Sequence, residues 1–265
     1  MLEFISDLAR QGGEMAASLR KKMGADSSGI TSKATSRDVV TEADRAVENF
    51  IIDRIRQRFP EHGIYGEESG HVNPDSPYCW VIDPIDGTAS YIHNQLGYST
   101  SVALQYQGLS QYGAIYCPVL RELYAAEQGK GAFCNGTRVH VCDHGTLVES
   151  HVSTGFSCLR AGWEKCNNLP YFCAIAKEAR EVRRYGSAAM DLCLLAAGRV
   201  DAFWELNLQL YDIAAGTLIV SEAGGQISDL RGGEDWPAQG MLASNSETMQ
   251  KTLLKFFKGY KRPQN

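Results

Sequence analysis

Trp80-Val81-Ile82-Asp83-Pro84-Ile85-Asp86-Gly87-Thr88 is an apolar run that delivers two carboxylates onto a turn. Val81 and Ile82 read as the end of a buried strand. Pro84 fixes its own φ, removes a backbone donor and holds Asp83 extended. Gly87 permits a backbone shape that a Cβ resists. Rigid acidic groups at a strand end suit a hard divalent cation, which takes oxygen ligands and brings much of the local charge. A lone Asp beside Gly is more often an Asx-turn or a helix cap. Two Asp three positions apart, with Thr88 after them and Glu67-Glu68 before them, favour the metal.

Working upstream, Gly66-Glu67-Glu68-Ser69-Gly70 follows a short strand at Ile64-Tyr65. Adjacent carboxylates repel unless a cation or solvent relieves them. A wet surface is the usual reason for Glu-Glu, but a pair between a strand and a second acidic turn can converge on the same ion. Thr41-Glu42-Ala43-Asp44 opens a helix, with Thr41 as its N-cap, that carries Val47, Ile51 and Ile55 and stops at Pro60. Asp38 and Asp44 flank that start, where helix-terminus electrostatics explains them as well as a metal or water role does. Residues 24–37 are small and polar and read as a mobile loop, and residues 2–22 as an amphipathic helix.

Downstream, residues 99–106 and 111–117 alternate around Gly108, and 121–126, 131–133 and 139–141 continue a meander of short strands. Asn135-Gly136-Thr137 matches a glycosylation sequon but reads first as a hairpin turn. His140-Val141-Cys142-Asp143-His144 has the look of a soft-metal cluster. A strand end with incidental polar residues outweighs it, because structural zinc sites need four convergent ligands at characteristic spacing. Further strands are expected at 148–154, 182–184, 200–204, 226–228 and 241–243, and helices within 163–180, over 186–195, over 213–222 and from Ser246. Asp212 sits where the N-cap of the 213–222 helix belongs. Strands and helices come in blocks, which points to an α+β layered fold. The whole of 1–265 reads as one unit, with 1–145 and 146–265 as its halves.

The bulk numbers bound the function. The chain has 265 residues, 44% of them hydrophobic, and a net charge of −5. That charge argues against a nucleic-acid partner, since such domains carry a basic face. Eight cysteines lie no closer than seven residues apart, without a Cys-x-x-Cys pair. They read as reduced, mostly buried thiols of a cytoplasmic protein. No signal peptide and no membrane span is readable.

Taken in order, Lys33…Asp38…Thr41…Asp44, Gly66-Glu67-Glu68-Ser69, Asp83-Pro84-Ile85-Asp86-Gly87-Thr88, Gly186-Ser187-Ala188-Ala189, Glu205 and Tyr211-Asp212-Ile213-Ala214-Ala215-Gly216 resemble the inositol monophosphatase family of magnesium-dependent, lithium-sensitive phosphatases. The match covers nearly the whole chain. It implies an αβαβα layered sandwich, usually a homodimer, that hydrolyses a small phosphorylated polyol. Two to three Mg²⁺ ions per subunit are implied. Glu67, Asp83 and the Ile85 carbonyl would ligate the first, Asp83, Asp86 and Asp212 the second, and Glu67 a third, looser one. Glu68 and Thr88 would position and activate the attacking water, with Asp44 close by. Gly87 and Thr88 amides would hold phosphate oxygens. Glu205 and Ser187-Ala188 would contact substrate hydroxyls, and Lys33 and Asp38 would border the site from the 24–37 loop, which is expected to order when metal and substrate bind. The family commonly has Thr-Asn after Gly-Thr and Trp before the last metal Asp. This chain has Ala89-Ser90 and Tyr211, which bear on substrate fit. The same chemistry on fructose 1,6-bisphosphate, 3′-phosphoadenosine 5′-phosphate or histidinol phosphate is the nearest alternative. A regulatory member acting through protein or RNA partners is the second.

Overall fold

A computed structural model describes residues 1–23, 30–32, 39–163 and 167–261. Lys33, Asp38, Cys166 and most of the expected 24–37 loop lie outside them. In chain order the elements are α1 (Leu2–Met23), β1 (Ile30–Ser32), β2 (Val39–Thr41), α2 (Glu42–Arg58), β3 (Gly63–Gly66), β4 (Gly70–Val72), β5 (Tyr78–Asp86), α3 (Thr88–Ile92), β6 (Ser99–Tyr106), β7 (Leu109–Cys117), β8 (Glu122–Glu127), β9 (Gly131–Cys134), β10 (Thr137–Val139), β11 (His151–Thr154), α4 (Ser157–Arg160), α5 (Leu169–Ile175), β12 (Glu181–Arg183), α6 (Ala188–Ala196), β13 (Ala202–Glu205), α7 (Leu210–Glu222), β14 (Gln226–Ser228), β15 (Met241–Ser244) and α8 (Glu247–Leu254).

Period-2 alternation decides the layers. In β5 and β6, Ile82, Val102 and Leu104 face α1 and α2, where they meet Ile5, Leu8, Val47 and Ile51. Val81 and Ala103 face the other way, onto Leu192 and Leu195 of α6 and Ile213 and Ile219 of α7. Those two helices also bury Phe203 and Ala243 of a second sheet. The far face of that sheet, with Ala202, Trp204 and Leu242, is covered by Met249 and Leu253 of α8. The order helix, sheet, helix, sheet, helix is the expected αβαβα sandwich. Residues 213–220 of α7 are all buried, as a helix between two sheets must be.

The first sheet runs β10-β9-β8-β7-β6-β5-β3-β4 and the second β12-β11-β13-β15-β14. The expected meander is the β6-to-β10 stretch, antiparallel throughout. Asn135 and Gly136 turn its last hairpin with φ of 48° and 79°, the positive pair that a two-residue hairpin wants.

Three local expectations change and one, the helix within 163–180, is narrowed. Residues 147–149 form a 3₁₀ turn, which Ser150 closes by donating Oγ–H to Thr146 O at 2.6 Å, so the strand starts only at His151. The helix sought within 163–180 is the seven-residue α5, with Pro170 in its first turn. The meander's last strand ends at Val139, not Val141. Within the expected 24–37 loop, residues 30–32 form β1, paired antiparallel with β2.

Candidate active site

Residues three apart on an unbroken strand point to opposite faces. Asp83 and Asp86 escape that rule through a bulge. Asp83 lies opposite Ser101 and Asp86 opposite Ser99, so three steps on β5 match two on β6. Pro84, which cannot serve a ladder, sits in the bulge, and Thr100 Oγ1–H pins it by donating to Pro84 O at 2.8 Å. The bulge re-aims one side chain, and carboxylate oxygens of Asp83, Asp86 and Asp212 converge to within 4.8 Å of one another.

Asp212 is not the N-cap. The helix α7 starts three residues before Ile213, Gln209 caps it, and Asp212 occupies the third helical position. Its Oδ2 reaches back to accept the Gln209 N–H at 2.6 Å, half of a capping-box geometry. A carboxylate has lone pairs to spare beyond that one bond. Glu67 arrives from the other side. Strand β3 pairs parallel with β5, Gly66 beside Ile82, and the Glu67 N–H donates to Ile82 O at 3.2 Å.

Neutral groups donate to Asp86 and Asp212. Asp86 Oδ2 accepts from Ser187 Oγ–H at 2.6 Å and from the Ala189 N–H at 2.7 Å. Asp83 is 1% exposed, and among the described residues its Oδ1 has no hydrogen-bond partner. Burial, then the charges of Glu67, Asp86, Asp212 and Asp44, push its pKa well above the usual carboxylate range. Burial pushes Asp86 up to about 7 against the pull of Ser187 and Ala189. Burial and the charge of Asp86 raise Asp212 too. Carboxyl groups buried this close together fit the oxygen donor set of a hard cation.

The water-side residues are placed nearby. Thr88, half-buried, donates Oγ1–H to Ile85 O at 3.3 Å. Gly87 has φ of +92°, and a Cβ on it would lie 2.3 Å from Gly97 O. Only glycine fits where the turn hands over to α3. Glu68, half-buried, has Arg45 Nε at 3.7 Å. Asp44 sits in the first turn of α2 and is 1% exposed.

A residue behind Glu68 escaped the sequence reading. Glu48, one turn after Asp44, is 2% exposed and accepts the Glu68 N–H at 3.0 Å and the Ser69 N–H at 2.7 Å. It shapes the turn that carries Glu67 and Glu68. Its signal was available: the i, i+4 spacing puts it on the same helix face as Asp44.

The cleft beside the cluster is lined by Glu205 from β13, Ala188 from α6, Gly155, Arg160, Arg184 and Asp191. Glu205 is 7% exposed and accepts the Ser157 N–H at 3.1 Å. Burial raises its pKa, and the Ser157 bonds and then Arg160 and Arg184 pull it back. A Cβ on Gly155 would lie 2.0 Å from the Glu205 carboxylate. Ala188 lines the cleft. The Ser187 side chain does not: its hydroxyl holds Asp86 and accepts the Met190 N–H at 3.1 Å as the cap of α6. Arg160, Arg184 and Asp191 were not singled out in the sequence. Asp191 alone left a trace, as an acid inside an apolar helix. Tyr211 is no ligand; its ring lies 5.6 Å from that of Tyr65.

A family model described as the inositol monophosphatase family matches residues 1–261. An inositol-1-monophosphatase of Mesorhizobium japonicum is 40% identical over 222 residues, covering 83% of each chain. The Nus factor SuhB of Escherichia coli K12 is 38% identical over 224 residues, 84% of each. The inositol monophosphatase of Anabaena superposes with a TM-score of 0.86 at 32% identity, over 98% of this chain and 96% of that one. The extragenic suppressor protein SuhB of Bartonella henselae gives 0.88 at 33% identity, over 97% and 98%. Sequence, fold and the converging carboxylates agree: this chain belongs to the inositol monophosphatase family.

Proposed function

We propose that the chain hydrolyses the phosphate monoester of an inositol, releasing inositol and inorganic phosphate, with magnesium held by the carboxylate cluster. The observation that carries the reading is the convergence of Asp83, Asp86 and Asp212 within 4.8 Å, with a buried Asp83 oxygen that has no hydrogen-bond partner among the described residues. Glu67, Asp83 and the Ile85 carbonyl would hold one ion, and Asp83, Asp86 and Asp212 a second. When bound, magnesium neutralises the phosphate dianion and lowers the pKa of its water.

The chain's own groups do the rest. Thr88 Oγ–H is engaged with Ile85 O, so towards the attacking water the hydroxyl acts as an acceptor. Glu68 orients the same water and takes its proton, with Asp44 adding negative charge from α2. The Gly87 and Thr88 amides hold phosphate oxygens. Glu205, backed by Gly155 and Ser157, accepts from leaving-group hydroxyls, while Ala188 gives the ring an apolar wall. Ser187 acts through Asp86. Water is the nucleophile, so no covalent phosphoenzyme forms. The working unit is a cytoplasmic homodimer, each subunit folding as one unit over 1–265.

The test is phosphate release from inositol 1-phosphate, fructose 1,6-bisphosphate, 3′-phosphoadenosine 5′-phosphate and histidinol phosphate, with Mg²⁺ varied and Li⁺ added. Highest kcat/KM on inositol 1-phosphate, lost without Mg²⁺, is expected. Faster turnover of any other substrate reassigns the leaving group and leaves the family chemistry standing.

A second reading rests on the relatives named Nus factor SuhB, which are 37–38% identical. A chain so similar to them works through a macromolecular partner as well. The net charge of −5 weighs against an RNA surface. Partner capture that survives Asp86→Asn would separate this role from catalysis.

A further inference from the structure

The segment His140-Val141-Cys142-Asp143-His144 takes no part in the phosphatase site. After β10 the chain has no regular structure until residue 147. It is tied across the molecule instead: the Val141 N–H donates to Ala223 O at 3.1 Å, beyond the end of α7. This route lays Cys142 and His144 against Asp201, the residue before β13. Cys142 Sγ lies 2.9 Å and His144 Nδ1 2.9 Å from Asp201 Oδ1. Sulfur, nitrogen and carboxylate oxygen all fall within 4.8 Å of one another.

The groups behind them hold that arrangement. Asp201 is 3% exposed, and its Oδ2 accepts the His151 N–H at 2.8 Å. Asn245, just after β15, donates Nδ2–H to Asp201 Oδ1 at 3.1 Å, to Cys142 Sγ at 3.4 Å and to His144 O at 2.9 Å. One amide therefore touches all three residues, and a backbone N–H orients the carboxylate. Outer contacts of this kind fix metal ligands in place. The His144 side chain is 55% exposed, so one side of the group is open to water.

We propose that Cys142, His144 and Asp201 form a second metal site, separate from the carboxylate cluster, that takes a borderline-soft divalent cation such as Zn²⁺. Thiolate and imidazole ligands select zinc-like ions over magnesium. Three protein ligands and one position open to water make the pattern of a non-structural zinc site. The four-ligand requirement that spoke against the sequence segment applies to closed structural sites. The fold supplies the ligand the segment lacked, from 59 positions further along the chain. On binding, the Cys142 thiol gives its proton to solvent, the His144 proton resides on Nε2, and both Nδ1 and Sγ donate electron pairs to the ion. Burial and Asp201 keep the thiol protonated while no cation is present. Asp201 and Glu205 bracket β13, roughly 13 Å apart at the rise of an extended strand, so the two sites lie at opposite ends of one strand.

Co²⁺ is the probe, because only a thiolate gives cobalt an intense near-ultraviolet charge-transfer band. The carboxylate cluster has no sulfur and cannot produce it. The full-length chain, stripped of metal and titrated with Co²⁺, is expected to develop the band to one equivalent and to lose it on adding Zn²⁺. The band persists in Asp86→Asn, disappears in Cys142→Ser, and needs at least ten-fold more Co²⁺ in His144→Ala. No band in the parent chain overturns the proposal and leaves the group as a hydrogen-bonded anchor for the loop. A band that survives Cys142→Ser, with another thiol holding the cobalt, also overturns it. Should Cys142→Ser fold poorly, His144→Ala at its exposed position decides: unchanged affinity there sinks the site.

Discussion

Asp83, Asp86 and Asp212 on one side, and Cys142, His144 and Asp201 on the other, each bring three ligand atoms within 4.8 Å. Their states without a cation are opposite. The first group is all oxygen, burial and then neighbouring carboxylates raise its pKa values, and among the described residues Asp83 Oδ1 has no hydrogen-bond partner. The second pairs one carboxylate with donors: an S–H, an imidazole, an amide and a backbone N–H. Convergence alone therefore does not say what a cluster needs. The balance of donors to acceptors does. An acceptor-only cluster is frustrated until a cation enters, whereas a balanced one is content either way and uses a cation only if a softer ion displaces its protons.

The largest effect should follow from removing charge at the frustrated cluster. Asp86→Asn keeps the volume and the Ser187 contact but deletes a ligand charge. Phosphatase kcat/KM should fall by about 10²- to 10³-fold, on the scale seen when preorganised electrostatic groups are removed. The thermal midpoint of the metal-free protein should not fall, because the variant relieves repulsion. Near-parent turnover at saturating Mg²⁺ would end the assignment of Asp86 as a ligand.

The next effect is one of pH. A group whose folded pKa is raised adds stability below its unfolded pKa and loses it as pH rises through the folded value. For Asp86 that window runs from the ordinary carboxylate value, about 3.9, to about 7. Asp83 and Asp212 shift in the same direction. The metal-free chain should thus melt lower at pH 8 than at pH 5.5. Between pH 5.5 and 8 about 1.5 pH units of that window are crossed, which on one carboxyl correspond to roughly 2 kcal/mol, or on the order of 5 °C for a chain this size. Mg²⁺ needs deprotonated ligands, so it should raise the midpoint more at pH 8. A flat metal-free profile across this window would show the carboxylates already relieved.

Smaller again is the effect at the support. Glu48→Gln keeps one acceptor for the Glu68 and Ser69 N–H groups and loses the second. A displaced turn moves Glu67 and Glu68 together, and kcat should drop roughly 10- to 100-fold with Mg²⁺ binding weakened in parallel. A change in KM for substrate alone would place Glu48 elsewhere in the mechanism.

That residue also marks how far a sequence can be read. The acids of 66–70 and 83–88 announced themselves because turn residues and apolar strands flank them locally. What makes Asp83 and Asp86 converge is a bulge, and a bulge is a mismatch between two strands, invisible in either one. Asp212 was visible as a helix-start acid, but its position depended on where α7 begins, and cap positions shift by a residue or two. Glu48 and Asp201 act on residues 20 and 59 positions away in the chain. Such pairings follow from sheet order, which one chain does not spell out. The layers were readable because blocks of strands and helices have few ways to bury both faces of a sheet.

The smallest expected effect sharpens the contrast from the other side. His144→Ala removes one half-exposed partner of Asp201. The carboxylate keeps the His151 N–H, Asn245 and Cys142. One hydrogen bond at such a position is worth about 0.5–1.5 kcal/mol, at most about 5 °C on the midpoint. The parent's metal-free stability should show no dependence on this histidine beyond that, and phosphatase kcat/KM should stay within about two-fold, since the group lies at the far end of β13 from Glu205. A drop well beyond 5 °C would mean the second group is as strained as the first. The donor count would then be the wrong way to tell a cluster that requires its cation from one that merely accepts it.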